Sequence, residues 1–116
     1  MKFLHAYAAL AVIAAGTVLG SGVAHAASAE KGHALFLKFG CWQCHGTAGQ
    51  GTVAGPKLAP DPLPFETLSA FVRTTSRLMP PYRESILPNE DLADIYAYLQ
   101  SIPKAPDYKT LPLLAP

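Results

Sequence analysis

No Lys, Arg, Asp or Glu lies between Lys2 and Glu30, and no proline precedes Pro56. The chain has two cysteines, Cys41 and Cys44, two methionines and one tryptophan. Each scarcity excludes something. Two cysteines three positions apart cannot build a disulfide framework. Nine basic residues against eight acidic ones, a net charge of +1, leave no basic stripe, so nucleic-acid binding has no electrostatic footprint. A length of 116 residues holds one small domain. It has no room for a barrel enzyme, a doubly wound nucleotide-binding fold or a repeat array.

The charge-poor start has its own meaning. Residues 6–24 are uncharged and mostly Ala, Val, Leu, Ile and Gly, with small residues at Ala24 and Ala26 on either side of His25. A basic start, a short apolar run and an A-x-A site predict a secretory signal peptide over residues 1–26. The alternative is an uncleaved membrane anchor. A spanning helix needs about 20 strongly apolar residues. Here Gly16, Gly20, Gly22, Thr17 and Ser21 dilute the run, and no basic cluster comes after it. Cleavage after Ala26 leaves residues 27–116 as an exported chain, with a bacterial periplasm as the expected compartment. A chain that short buries a modest core and is often completed by a staple, a metal or a cofactor.

Because all 11 prolines fall at or after Pro56, the first half of the exported chain is free to be helical and the second half is cut into short pieces. A first helix is expected from about Ala29 to Phe39, capped by Ser28 and ended by Gly40. Residues 41–64 read as loop, being rich in Gly and Pro. A middle helix is expected from about Phe65 to Thr74, with Leu68, Phe71 and Val72 inward. The last helix starts near Asn89, a good N-cap, carries Leu92, Ile95, Tyr96 and Leu99 at helical spacing, and is stopped by Pro103. No stretch alternates as a strand, so the expected class is all-α: three or more helices with long loops. The domain spans residues 27–103, and residues 104–116 form a Pro-rich tail.

Cys41-Trp42-Gln43-Cys44-His45 carries the chemistry. C-x-x-C-H is the attachment signature of a c-type haem. Two thiols at this spacing add across the two vinyl groups of the porphyrin, and the adjacent His45 is then held under the iron as an axial ligand. Covalent attachment retains the cofactor in an exported protein and supplies the apolar mass a 90-residue chain lacks. Three other readings compete. A thioredoxin-like dithiol needs a βαβ surround that is absent. A closed zinc site needs four ligands, and only His33 could join Cys41, Cys44 and His45. A simple disulfide explains neither the adjacent histidine nor the methionine loop downstream.

Once the signal segment is gone, Met79 is the one methionine left. It sits in a Pro-locked loop, Met79-Pro80-Pro81-Tyr82, just before the last helix. A lone methionine is commonly core filler, but a thioether opposite histidine is a known axial pair in electron-transfer haems. Met79 is therefore the expected sixth ligand, with His33 as its rival.

Together these features resemble the class I cytochrome c family in its short bacterial form, over about residues 29–103. The resemblance rests on C-x-x-C-H, on Met79-Pro80-Pro81-Tyr82 and on Asp91-Leu92-Ala93-Asp94-Ile95-Tyr96-Ala97-Tyr98-Leu99. It implies a small cytochrome c fold wrapped around one covalent haem c, with Cys41, Cys44, His45 and Met79 binding the cofactor and His45 and Met79 binding its iron. It also implies that Gly32 and Phe36 of the first helix pack against Tyr98 of the last. The loop Gly55-Pro56-Lys57-Leu58 is similar to the family's G-P-x-L loop, which would place the Pro56 carbonyl behind His45. Two departures stand out. The segment before Met79 reads Arg73-Thr74-Thr75-Ser76-Arg77, without glycine, and no second tryptophan is present for a propionate. Arg73 and Arg77 are the candidate propionate partners, against a reading as solvated charges.

The expected activity is one-electron transfer between redox partners, with no catalytic residue. A His/Met iron has no open position for a substrate, and Ser69, Ser85 and Asp94 read as surface or capping groups with no triad around them. The alternative is a cytochrome subunit in permanent complex with a flavoprotein dehydrogenase. The expected partners are redox proteins, with no nucleic acid, and a membrane only if the N-terminal segment stays uncleaved. Near-neutral charge argues against a basic docking ring, so Pro81 and Tyr82 are expected either at an apolar partner contact or, for Tyr82, packed inward.

Overall fold

The computed structural model describes residues 26–113. Nearly all of the expected signal segment, residues 1–25, lies outside the described residues, as do residues 114–116 at the end of the tail. Helix α1 spans Ala29–Lys38, α2 Cys41–His45, α3 Phe65–Thr74 and α4 Asn89–Ser101, and a single 3-10 turn spans Tyr108–Thr110. Among the described residues there is no strand, and no helix is long and apolar enough to cross a membrane. The all-α expectation holds.

Local chemistry accounts for the helix limits. The Ser28 hydroxyl accepts the Lys31 N–H at 3.2 Å, and Glu30 stands in the positive first turn of α1. Gly40 then takes a left-handed conformation, φ +75°, which separates α1 from α2. Helix α2 lies where the sequence reads as loop, because a five-residue turn is too short to show a period. At α4 the cap is Pro88, not Asn89. Asn89 is the first helical residue, and its side chain is engaged elsewhere: Oδ1 accepts Arg73 Nη2 at 2.8 Å and Nδ2 donates to Glu84 at 2.7 Å.

The core is the crossing of the first helix with the last. Leu35 and Phe36 of α1 are buried against Leu92, Ile95, Tyr98 and Leu99 of α4, with Leu68 of α3 and Leu87 and Ala59 from the loops. Burying one such side chain contributes about 1.5–3 kcal/mol. The expected contact forms: the Phe36 and Tyr98 rings lie 5.5 Å apart, tilted by 56°. Gly32 is buried where the helices approach most closely, and a β-carbon there would collide with the backbone carbonyl of Asp94.

Asp94 departs from its expected role as a surface or capping group. It is fully buried; its carboxylate accepts the Ser28 N–H at 2.7 Å and pairs with Lys31 Nζ at 2.8 Å. The motif around Asp94 gave no sign of this, because the partners lie more than 60 residues away in sequence.

Candidate functional site

The short helix α2 presents both thiols and the imidazole. Gly40 before it and Gly46 after it have positive φ, +75° and +76°, which lets the chain enter and leave this turn sharply. Behind it the residues 47–59 fold back as a loop. The Gly51 N–H donates to the His45 carbonyl at 2.8 Å, and the Thr52 hydroxyl donates to the Cys44 carbonyl at 2.6 Å. The Tyr98 hydroxyl donates to the Thr47 carbonyl at 2.8 Å, tying this loop to α4.

His45 is buried and its Nδ1 lies 2.7 Å from the Pro56 carbonyl oxygen. A carbonyl oxygen can only accept, so Nδ1 carries the proton and Nε2 keeps the lone pair. The ring is thereby oriented and made a better donor at Nε2. Gly55 is required beside it: a β-carbon there would stand 2.9 Å from the Cys44 carbonyl oxygen and 3.0 Å from His45 Cε1.

A cavity of about 1150 Å³ opens on this arrangement. Cys41, Cys44, His45 and Met79 all line it, so one wall carries the C-x-x-C-H turn and another the methionine loop. The rest of the lining is mostly apolar, and Phe36, Leu68, Leu87, Leu92, Ile95 and Leu99 serve both this cavity and the core. Its volume exceeds the roughly 300–1,000 Å³ of ordinary small-molecule sites. Cys41 and Cys44 are free thiols, each half-buried. Burial pushes the Cys41 thiol up to about 11, so it is a neutral thiol at pH 7. A large apolar cavity, two unpaired thiols and one imidazole with a fixed lone pair fit a covalently attached haem.

The rival residues lie elsewhere. His33 is exposed on α1 and stacks on Tyr98, with ring centroids 4.7 Å apart; it does not line the cavity. Among the described residues no group of three or more His, Cys, Asp or Glu gathers to hold a metal ion. Arg73 is committed to structure: Nη1 donates to the Tyr82 carbonyl at 2.7 Å and Nη2 to Asn89. Arg77 lines the cavity, is exposed, and makes no hydrogen bond or ion pair with a described residue. Tyr82 turns inward. It is half-buried, its hydroxyl donates to the Phe39 carbonyl at 2.7 Å, and its ring meets Phe39 edge-on. Sequence reasoning missed the hydroxyl bonds of Tyr82 and Tyr98, since their acceptors are backbone carbonyls that no residue type announces.

Helices wrapped around an apolar cavity, with a C-x-x-C-H turn on its wall, define a cytochrome c domain. Residues 27–99 match the model of the family described as cytochrome C oxidase, cbb3-type, subunit III, and the chain belongs to this cytochrome c family. No curated protein and no solved structure matches it. A domain of this family implies a covalent haem c and haem-based electron transfer.

Proposed function

We propose that the protein is an exported one-electron carrier, with haem c held through thioethers at Cys41 and Cys44 and its iron held by His45 and Met79. The observation that carries this reading is the convergence of all four side chains on one cavity, with the His45 ring fixed by Pro56. The haem, when bound, supplies an iron that takes up and releases one electron. The protein's part is positional. His45 offers Nε2 from a ring oriented by the Pro56 carbonyl, Met79 offers a soft thioether that favours ferrous iron, and Leu68, Leu92, Ile95 and Leu99 exclude water. Arg77 is the cavity cation we assign to a propionate.

The signal-like start of the chain supports export. Around the cavity mouth Leu78, Pro80 and Ala54 are exposed, and Val53 and Pro81 adjoin them in sequence. A small apolar patch suffices for a brief redox encounter, and we place the partner contact here, without Tyr82. A stable complex with a larger redox enzyme is the second reading, favoured by the family's description as an oxidase subunit.

Acidified acetone tests the attachment. Haem that stays with the protein, and a sharp α-band on reduction, are expected; freely extracted haem overturns the reading. A weak near-infrared sulfur-to-iron band in the ferric protein at neutral pH is expected from Met79, and its absence removes that ligand.

A further inference from the structure

Tyr82, close after Met79 in the chain, is bonded through every polar group it has. Its N–H donates to the Val72 carbonyl at 2.9 Å and its carbonyl accepts Arg73 Nη1 at 2.7 Å, so its backbone is fixed on α3. Its hydroxyl reaches across to the other wall of the site and donates to the Phe39 carbonyl at 2.7 Å, 43 positions away in sequence. Phe39 caps the end of α1, where the last carbonyls have no donor within the helix. Gly40 and Cys41 come directly after it, so the acceptor stands at the entry to the C-x-x-C-H turn. Tyr82 lines the cofactor cavity, and its ring stands edge-on to Phe39 with 6.3 Å between centroids. Burial, and then the neighbouring thiols of Cys41 and Cys44, push the Tyr82 hydroxyl above the usual phenol range, so it stays a donor at neutral pH.

Between this anchor and Met79 stand Pro80 and Pro81. A pyrrolidine ring locks φ at about −65°, and each proline also holds the residue before it in an extended conformation. Met79, Pro80 and Pro81 are therefore all restricted, and the segment is a stiff strut with Tyr82 at its foot. The other end of the loop is held less firmly. Thr75, buried just past α3, donates to the Met79 carbonyl at 3.4 Å, a long bond. Ser76, Arg77 and Leu78 in between are exposed.

Building on the reading of His45 and Met79 as the iron ligands, we propose that Tyr82 is the positioning residue of the sixth ligand. Its hydroxyl ties the Met79 strut to the turn that carries the thioethers, and so sets how readily Met79 leaves the iron. For Met79 to move aside the strut must swing, and the bond to Phe39 breaks with it. The hydroxyl then stabilises the Met-bound state alone, and this difference between the two states is what an outside ligand must overcome. Phenylalanine at this position keeps the ring against Phe39 and removes only the hydroxyl bond.

The ferric holo-protein titrated with imidazole at neutral pH provides the test, because imidazole competes with a thioether for iron and bleaches the near-infrared sulfur-to-iron band. In Tyr82→Phe the imidazole midpoint is expected to fall about fivefold, the scale of one hydrogen bond lost from one of two states. Pro81→Ala softens the strut. In that background Y82F should change the midpoint by less than about twofold, because a pliant link no longer transmits the anchor. Gly32→Ala, which strains the crossing of α1 with α4, should lower the unfolding midpoint in denaturant and leave the imidazole midpoint in place. An imidazole midpoint unchanged by Y82F, with the band present in the native protein, overturns the positioning role and leaves the ligand reading intact. A Y82F effect as large in the P81A background as in the native chain overturns it too. So does a G32A variant as sensitive to imidazole as Y82F, since any loss of stability would then free Met79. A native protein without the band overturns the ligand reading itself, and the role of Tyr82 goes with it.

Discussion

Gly32 of α1 abuts the backbone carbonyl of Asp94 on α4 with no room for a β-carbon between them. Both partners are backbone within helices, so neither can yield cheaply. Gly32→Ala should destabilise the holo-protein by about 3 kcal/mol, at the upper end of ordinary overpacking. Denaturant unfolding followed by far-UV dichroism measures this, and a loss below about 1 kcal/mol would show that the helices can separate there.

Gly55→Ala acts on the proximal side. Its new methyl meets the Cys44 carbonyl oxygen and His45 Cε1 at about 3 Å, which pushes the Pro56 carbonyl away from His45. A longer Nδ1–H bond makes the imidazole a poorer donor to ferric iron. The reduction potential should rise, and stability should fall by about 1–3 kcal/mol. Spectroelectrochemistry gives the first and chemical denaturation the second.

Met79→Ala should leave the haem attached, because both thioethers remain. The near-infrared band should vanish and the potential should fall, since the thioether favours the ferrous state. An unchanged ferric spectrum in this variant would place the sixth ligand elsewhere.

The two arginines before Met79 should separate cleanly. Arg73→Gln breaks the bonds to the Tyr82 carbonyl and Asn89 and should cost about 2 kcal/mol of stability, with little change in potential. Arg77→Gln should leave stability nearly untouched and lower the potential, because an unneutralised propionate stabilises ferric iron. If that shift persists in high salt, the cation is close to the carboxylate; a distant surface charge would be screened.

Electron transfer from the native donor should change little as ionic strength rises, because salt screens charge and leaves apolar contact alone. A steep fall would assign the encounter to charged residues such as Lys57, Arg77 or Arg83.

The parts of the molecule that were legible in the sequence share one property: their signal is local. The bounds of α3 match the expectation because Phe65 comes directly after Pro64 and the apolar spacing runs unbroken to Thr74. Helix α1 ends one residue before its expected limit, where Gly40 reverses the chain. That Cys41, Cys44 and His45 share one cavity wall was legible because the covalent attachment they are proposed to make demands fixed spacing. Asp94 was not, since a lone acidic residue looks alike on a wet face and under a helix end. Phe71 was expected inward from its period, yet it is more than half exposed along the cavity edge. A period identifies a face without saying whether protein or cofactor covers it. The turn at Tyr108–Thr110, closed by Asp107 accepting the Lys109 N–H at 3.0 Å, lies in a tail that showed no repeat.

The contacts that close the domain join its two ends. Ser28 and Asp94 stand 66 positions apart, Lys31 and Asp91 60, and Thr47 and Tyr98 51. A chain made N-terminus first delivers α1 and the C-x-x-C-H turn long before α4 emerges. Until residues 89–101 are out, the apolar stripe of α1 lacks its main partner, and closing so long a loop must precede any gain from the crossing. Cys41 and Cys44 are thus exposed during that interval, open to the covalent attachment proposed above.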